Sequence, residues 1–342
     1  MCQHRVVPRP PRAPLSAAAV ATAAGTVAGA ACLTWAAAYE VRAFTLRRVE
    51  VPVLAPGARP LRVLHISDLH LTPSQQAKRE WVRSLAGLEP DLVVDTGDNL
   101  AHREAVPAVL DALGPLLERP GAFVMGSNDY YEPTFKNPAR YLLPIGEPRL
   151  SKNRLPTDDL RDGLLAAGWV DLDNARERIK ADHREIELVG TDDAHIRQDR
   201  YQDVAGPADP AADLSIGVTH APYRRVLDPM VADGFPLVLA GHTHGGQLCV
   251  PFVGALVTNC DLPRRQAKGL STHEHAGRRS YLHVSAGVGT SPYAQVRFAC
   301  RPEATLLTLV ARASCPPRPG RPVQCPAPAR LSGLPSGCSA AW

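Results

Sequence analysis

Short runs of apolar residues recur along this chain between polar turns, and two longer stretches carry apolar residues three or four positions apart. Short runs bounded by Gly, Pro or Asp predict β-strands, whereas the wider spacing predicts amphipathic helices. The predicted strands are Leu61–Ile66, 91–94, 122–125, 186–189, 214–218, Leu237–Ala240, 281–284 and 305–309. The first three alternate with predicted helices at 75–85 and 106–117, which indicates an α/β fold. We expect the later five strands to form a second sheet.

The start of the chain has a different pattern. A basic region, 1–12, precedes an uncharged, alanine-rich stretch at 13–39, and about 20 apolar residues suffice to span a bilayer as a helix. We favour a single-pass membrane anchor that places the protein at the cell membrane. A cleaved secretory signal, which would make the protein secreted, and an alanine-rich helix outside the membrane are the alternatives. Arginines flank both ends of the stretch, so the side of the membrane stays open.

Composition sets the domain plan. The chain has 342 residues, of which 45% are hydrophobic, so one large core is expected. We assign 40–57 to a linker and first strand, 58–312 to one catalytic domain and 313–342 to a Pro-rich disordered tail. The formal net charge of +4 comes from scattered arginines, without a basic run interleaved with aromatic residues. No nucleic-acid partner is therefore expected.

Metal-binding residue types follow several of the predicted strands. In an extended segment, side chains two positions apart point the same way, so Asp68 with His70, and His242 with His244, are expected to face one cleft. Ligand sites of open α/β sheets gather at the carboxyl ends of strands. Each pair alone is weak evidence, but the joint pattern predicts a metal site. Its candidate ligands are Asp68, His70, Asp98, His220, His242 and His244.

The donor set indicates the reaction. Imidazoles and carboxylates suit divalent Mn, Fe, Zn or Co, and one carboxylate such as Asp98 can bridge two ions. Two ions about 3.5 to 4 Å apart can hold a shared hydroxide and neutralise the oxygens that attack and leave in phosphoryl transfer. Two divalent metal ions as cofactors and hydrolysis of a phosphoester are therefore the leading expectation.

The order of these motifs resembles the calcineurin-like metallophosphoesterases, in particular their membrane-associated or exported bacterial branch. The matching segments, spread over residues 61–309, are Asp68-x-His70, Gly97-Asp98, Gly126-x-x-Asp129, His220, Gly241-His242-x-His244-Gly245-Gly246 and Gly287-Val288-Gly289. The resemblance implies two packed mixed β-sheets flanked by helices in a four-layer sandwich, with an N-terminal hydrophobic helix added here. It also implies one metal on Asp68, His70, Asp98 and His244, and a second on Asp98 as bridge, His220 and His242.

One motif departs from the family. Where the family usually has Gly-Asn-His-Asp, this chain has Gly126-Ser127-Asn128-Asp129. We favour Asn128 over Ser127 as a further metal ligand and catalytic residue; an asparagine that only stabilises a turn is the alternative. Asparagine does not titrate near neutral pH, so it cannot protonate a leaving alkoxide. His195 is a conceivable substitute donor, although an ordinary polar turn is the favoured interpretation there.

The function expected from the resemblance is hydrolysis of a phosphomonoester, phosphodiester or pyrophosphate by a metal-bridging hydroxide, on a substrate that is lipid-linked or close to the membrane. A catalytically weak metal-binding or sensing protein is the alternative, suggested by Ser127 and Asn128. The long loop at 130–156 is a candidate for substrate contact through Lys136 and Arg140, for which ordinary solvated charge is the favoured interpretation. Substrate-binding residues are otherwise unassigned, and the oligomeric state stays open.

Overall fold

The computed structural model describes residues 17–135 and 150–313. Two six-stranded mixed sheets and a short hairpin hold the strands of this part of the chain. The strands are β1 (Thr45–Leu54), β2 (Leu61–Ile66), β3 (Leu92–Asp95), β4 (Gly121–Phe123), β5 (Val170–Asp171), β6 (Arg176–Ala181), β7 (Arg184–Thr191), β8 (Leu214–Thr219), β9 (Leu237–Ala240), β10 (Cys249–Val250), β11 (Gly254–Ala255), β12 (Gly269–His275), β13 (Arg278–Val284) and β14 (Glu303–Ala311). The helices are α1 (Ala17–Thr34), α2 (Gln76–Ser84), α3 (Val106–Leu113), α4 (Ser127–Tyr130), α5 (Thr157–Ala166) and α6 (Arg224–Asp233).

The first sheet has the order β1-β14-β2-β3-β4-β5, and the second has the order β12-β13-β9-β8-β7-β6. Strands β2 to β5 run parallel, as do β7, β8, β9 and β13, while antiparallel strands complete each sheet. The parallel strands are buried on both faces, which explains their continuous apolar runs. Their carboxyl ends bring the motif loops to one side of the molecule.

The fold has four layers, helices, first sheet, second sheet and helix, and an apolar cluster fills each of the three spaces between them. One packs the first sheet against α2, α3 and α5, and includes Leu64, Val109 and Leu160. The second fills the space between the two sheets, where Val63 and Ile216 lie. The third packs α6 on the outer face of the second sheet. The predicted fold, two mixed sheets flanked by helices, is confirmed.

The predicted strands all occur, but one sheet assignment is wrong. β14 pairs antiparallel with β2 and parallel with β1, so it lies within the first sheet and not the second. The strand is buried in the first sheet, and an apolar run such as 305–309 does not by itself show which sheet it joins. The pattern also missed β6 and β12, which lie at sheet edges; β6 is mostly charged and β12 mostly polar.

The N-terminal helix is present as α1, and a π-helical turn at Trp35–Tyr39 follows it. Within 17–135 and 150–313, no helix has the length and apolar character that crossing a bilayer requires. The structure therefore does not support the predicted membrane span at 13–39. Alanine dominates α1, and its single methyl group contributes little apolar surface. Residues 1–16 and the Pro-rich tail at 314–342 lie outside the described residues.

Candidate metal centre

The predicted ligands lie just after the ends of β2, β3, β4, β8 and β9. Five of them have left-handed backbone: the φ angles are 51° at Asp68, 41° at His70, 58° at Asp98, 69° at His242 and 49° at His244. The expectation that these pairs lie in extended segments is wrong, although the pairs do reach the same site. Left-handed backbone is uncommon outside glycine and costs free energy, and such residues cluster at functional sites.

One cluster joins the first and last motifs. His244 Nε2 lies 3.3 Å from His70 Nε2 and 3.6 Å from Asp68 Oδ1. His70 Nε2 lies 4.0 Å from the same carboxylate oxygen. The two imidazole rings stack with centroids 5.0 Å apart. Three donor atoms from three different side chains therefore converge within the reach of one divalent ion.

A second cluster holds Asp68, Asp98 and His220. Asp98 Oδ2 lies 3.6 Å from His220 Nε2 and also 3.6 Å from His70 Nε2 in the first cluster. This carboxylate oxygen thus stands between the two groups of donors. The His220 Nδ1–H donates to the carbonyl of Thr96 at 2.6 Å, which points Nε2 toward the cluster.

Unsatisfied buried atoms test whether these residues fit a metal. Asp68 Oδ1 and His220 Nε2 are fully buried and, among the described residues, have no hydrogen-bond partner. Leaving such groups buried without a partner costs free energy, so nearly all of them in folded proteins are paired or hold an ion. Both atoms belong to the donor clusters, and the site therefore fits divalent cations.

His242 lies at the edge of the second cluster. Its ring packs edge-on against His220, with centroids 5.2 Å apart, and its Nε2 lies 3.2 Å from both the carbonyl and the side-chain amide nitrogen of Asn259. His195 packs on the other side at 4.4 Å between centroids, while its Nδ1 lies 3.0 Å from the Tyr223 hydroxyl. The structure thus brings His195 into the site, and its role as a proton donor stays a prediction.

Asn128 contacts the carboxylate between the clusters. Its backbone N–H donates to Asp98 Oδ1 and its side-chain amide to Asp98 Oδ2, both at 2.7 Å. Ser127 makes no comparable side-chain hydrogen bond to Asp98 among the described contacts. The geometry favours Asn128 as the functional residue of this motif, although its role as a ligand stays a prediction.

Asp129 and Arg297 hold the loops that carry the ligands. The Asp129 carboxylate accepts four backbone N–H donors, from Asp98, Asn99, Leu100 and Gly126. Asp129 lies in a motif quoted above, but the sequence did not indicate the structural role of either residue.

Arg297 is fully buried and donates to the carbonyls of Ala286, Gly287 and Gly289. Gly287 has a φ of 70°, and a Cβ there would lie 2.6 Å from the Asp68 Cβ. Asn259, in contrast, was missed entirely, because an asparagine in a loop gives no signal of its own.

Burial and neighbouring charge set the protonation of the site. Burial holds the pKa of His242 and of His244 well below the ordinary value, so both rings are neutral and can bind metal. Burial would raise the Asp98 pKa, but His220 and His70 overcome it and hold that pKa below its ordinary value. Burial opposes protonation of His220, yet the carboxylates of Asp98, Asp193 and Asp68 raise its pKa to about 10. The clustered carboxylates therefore favour a cation in this place.

Lys136 and Arg140, the proposed substrate contacts, lie outside the described residues. No statement about their position follows from the structure. The remaining candidates form one site: the structure brings Asp68, His70, Asp98, Asn128, His220, His242 and His244 together.

Comparison with known proteins identifies the class. The sequence model described as calcineurin-like phosphoesterase matches residues 61–246, more than half of the chain. The chain therefore belongs to the calcineurin-like phosphoesterase family, and it is a hydrolase that acts on phosphoester bonds.

Three relatives are similar over different shares of their length. Phosphodiesterase YaeI of Escherichia coli (strain K12) is 31% identical over 78% of this chain and 88% of its own length. The uncharacterized metallophosphoesterase YkoQ of Bacillus subtilis (strain 168) is 27% identical over 73% of this chain and 84% of its own. A transmembrane protein with metallophosphoesterase domain from Bos taurus is 29% identical over 62% of this chain, which spans only 47% of that relative.

Proposed function

We propose that this chain is a binuclear metal-dependent phosphodiesterase. One ion would be held by Asp68, His70, Asp98 and His244, and the other by Asp98, Asn128, His220 and His242. The observation that carries this proposal is the position of Asp98 Oδ2, at 3.6 Å from ring nitrogens that belong to both donor clusters. The E. coli relative, which is named a phosphodiesterase, supports the choice of a diester over a monoester or pyrophosphate.

The residues of this chain prepare the site for such ions. When bound, two divalent ions would activate a water molecule and neutralise negative charge on the phosphoryl group. The Asn128 hydrogen bonds fix the Asp98 carboxylate, and the Thr96 carbonyl fixes the His220 tautomer. Asp129 keeps the loops of the second and third motifs in register. The ligands are therefore oriented before the metal arrives, which lowers the free-energy cost of binding.

Removing the shared carboxylate tests the proposal. Asp98→Asn should lower the content of both metals and abolish hydrolysis of bis-p-nitrophenyl phosphate, after reconstitution with Mn, Fe, Zn or Co in turn. Asp111→Asn, an exposed carboxylate paired with Arg83, is the matched control and should behave as wild type. A variant at Asp98 that keeps two ions and full turnover would contradict the proposal. Wild-type protein with two bound ions and no turnover on mono- and diesters would instead favour the metal-binding or sensing alternative.

A further inference from the structure

An apolar hairpin borders the metal-ligand loops. We use the name apolar hairpin for residues 247–256, which hold β10, β11 and the turn between them. Val253 in that turn is 73% exposed, and Tyr293, beside the hairpin, is 56% exposed. Further exposed apolar side chains of the hairpin are Leu248, Val250, Phe252 and Leu256. Contiguous exposed apolar surface of this kind marks an interaction site.

The base of the hairpin packs on the two glycines that follow the candidate ligand His244. The Cys249 thiol donates to the Gly245 carbonyl at 3.2 Å, and a Cβ on Gly246 would lie 2.4 Å from the Ala255 Cβ. Beyond the hairpin, Asn259 contacts His242 at 3.2 Å. A partner that covers the hairpin therefore lies close to the loops that carry His242 and His244.

Two exposed arginines lie close to the apolar hairpin along the chain, and a third follows a segment that pairs with it. Arg264 and Arg265 follow the hairpin, and the Arg264 guanidinium donates to the Leu256 carbonyl at 3.4 Å. Arg301, also exposed, follows the segment at 296–300 that pairs with the start of the hairpin. Within the described part of the chain, none of these three arginines forms an ion pair. Exposed apolar side chains with cationic side chains beside them match the interface of an anionic bilayer, where acyl chains lie below phosphate headgroups.

The N-terminal helix leaves the domain from the same face. The Arg297 N–H donates to the Ala36 carbonyl at 3.1 Å, and the Cys300 N–H to Glu40 Oε1 at 2.6 Å. The exposed Trp35 and Tyr39 rings lie 4.3 Å apart at this junction. Trp and Tyr are enriched at the boundary between membrane and water. The hairpin and the end of α1 thus meet at the segment 296–300.

We propose that this face docks on the surface of an anionic lipid bilayer. Val250 and Val253 enter the boundary of the acyl chains, while Arg264 and Arg265 contact the phosphate headgroups. The protein then lies on the membrane with the metal centre at headgroup level, so that phosphoesters carried at the membrane surface are its substrates. The substrate class rests on the proposed function, whereas the docking itself does not depend on catalysis.

Sedimentation of the full-length, metal-loaded protein with vesicles tests the docking. Wild type should bind vesicles that contain phosphatidylglycerol, more weakly at high salt, and bind pure phosphatidylcholine less. The double variants Val250→Ser/Val253→Ser and Arg264→Glu/Arg265→Glu should each lower the partition coefficient about tenfold or more. Leu165→Ser, an exposed apolar position on α5, is the matched control and should bind as wild type. Hairpin variants that keep their metal content and bind vesicles as wild type would overturn the docking.

A reporter at the hairpin separates its insertion from binding through α1. Val253→Trp should add fluorescence that brominated lipids quench, beyond the quenching seen in wild type. The absence of additional quenching while the protein is vesicle-bound would contradict the proposal. A second copy of the chain is the other possible occupant of this face, and sedimentation velocity detects it. If wild type does not bind lipid but forms a dimer that Val250→Ser/Val253→Ser dissociates, the face belongs to a second copy of the chain. Vesicle binding without turnover would contradict the proposed function alone.

Discussion

Asn128 is one of the two residues of the third motif, with Ser127, at which this chain departs from the family pattern. The family motif has histidine at this position, and histidine can give a proton to a leaving group, whereas asparagine cannot. Here the Asn128 amide instead donates to Asp98 Oδ2 at 2.7 Å. The substitution therefore separates two roles: the carboxylate is still positioned, but proton donation at this place is lost.

This loss predicts a steep dependence of rate on the leaving group. A positioned general acid contributes about 10²- to 10⁴-fold, mostly for poor leaving groups. Across a series of substituted phenyl and alkyl methyl phosphodiesters, we expect the single-turnover rate to fall steeply as the pKa of the leaving alcohol rises. A flat dependence in the chemical step would show that another group supplies the proton.

The two candidates of the third motif should respond differently to truncation. Asn128→Ala removes a hydrogen bond to Asp98, and losing such an orienting partner weakens metal binding about 10- to 100-fold. Ser127→Ala should leave affinity nearly unchanged. Competition with a chelator of known affinity measures both constants. If Ser127→Ala loses more metal affinity than Asn128→Ala does, Ser127 and not Asn128 is the functional residue of the third motif.

At the scale of the element, Asp129 joins the loops after β3 and β4. Asp129→Asn should destabilise the fold, because each carboxylate oxygen accepts two backbone N–H groups and the amide nitrogen that replaces one oxygen would face both of its donors. Two unsatisfied buried donors cost roughly 2 to 5 kcal/mol. Chemical denaturation of the metal-free protein measures this change, with Asp111→Asn as control. If Asp129→Asn lowers the free energy of unfolding by less than the control Asp111→Asn does, the structural role of Asp129 is contradicted.

Strands β2 and β13 share a buried histidine pair that makes stability depend on pH. His65 Nδ1 lies 2.8 Å from His283 Nδ1, and its Nε2 lies 3.0 Å from the Thr96 hydroxyl. Burial lowers the pKa of His283 from 6.5 to about 4 and that of His65 well below 6.5.

The sign of the pH effect follows from these lowered pKa values. Between pH 6.5 and 4 the unfolded state binds more protons than the folded state, so stability falls as the pH drops through this window. In metal-free protein, His283→Gln should remove about 3 kcal/mol of this pH dependence. His183→Gln, at an exposed position, should leave it unchanged. Equal pH dependence in wild type and His283→Gln would contradict the effect of burial.

At the scale of the whole molecule, the sequence predicted the layers and the residues of the site better than it predicted which strands pair. The strands could be recognised in the sequence because buried parallel strands are continuously apolar. The sheet of β14 was assigned wrongly, since pairing depends on contacts far apart in sequence. The left-handed backbone at Asp68 and His242 could not be predicted either, because side-chain type alone does not determine the φ angle. Residues at strand ends were nevertheless found, since their chemistry is unusual beside apolar runs.

An anomalous diffraction map of the protein crystallised with Mn tests the shared metal centre most directly. We expect two peaks about 3.5 to 4 Å apart, with Asp98 between them. One peak should contact His70 and His244, and the other should contact His220 and His242. A single peak, or two peaks that share no carboxylate, would contradict the shared metal centre.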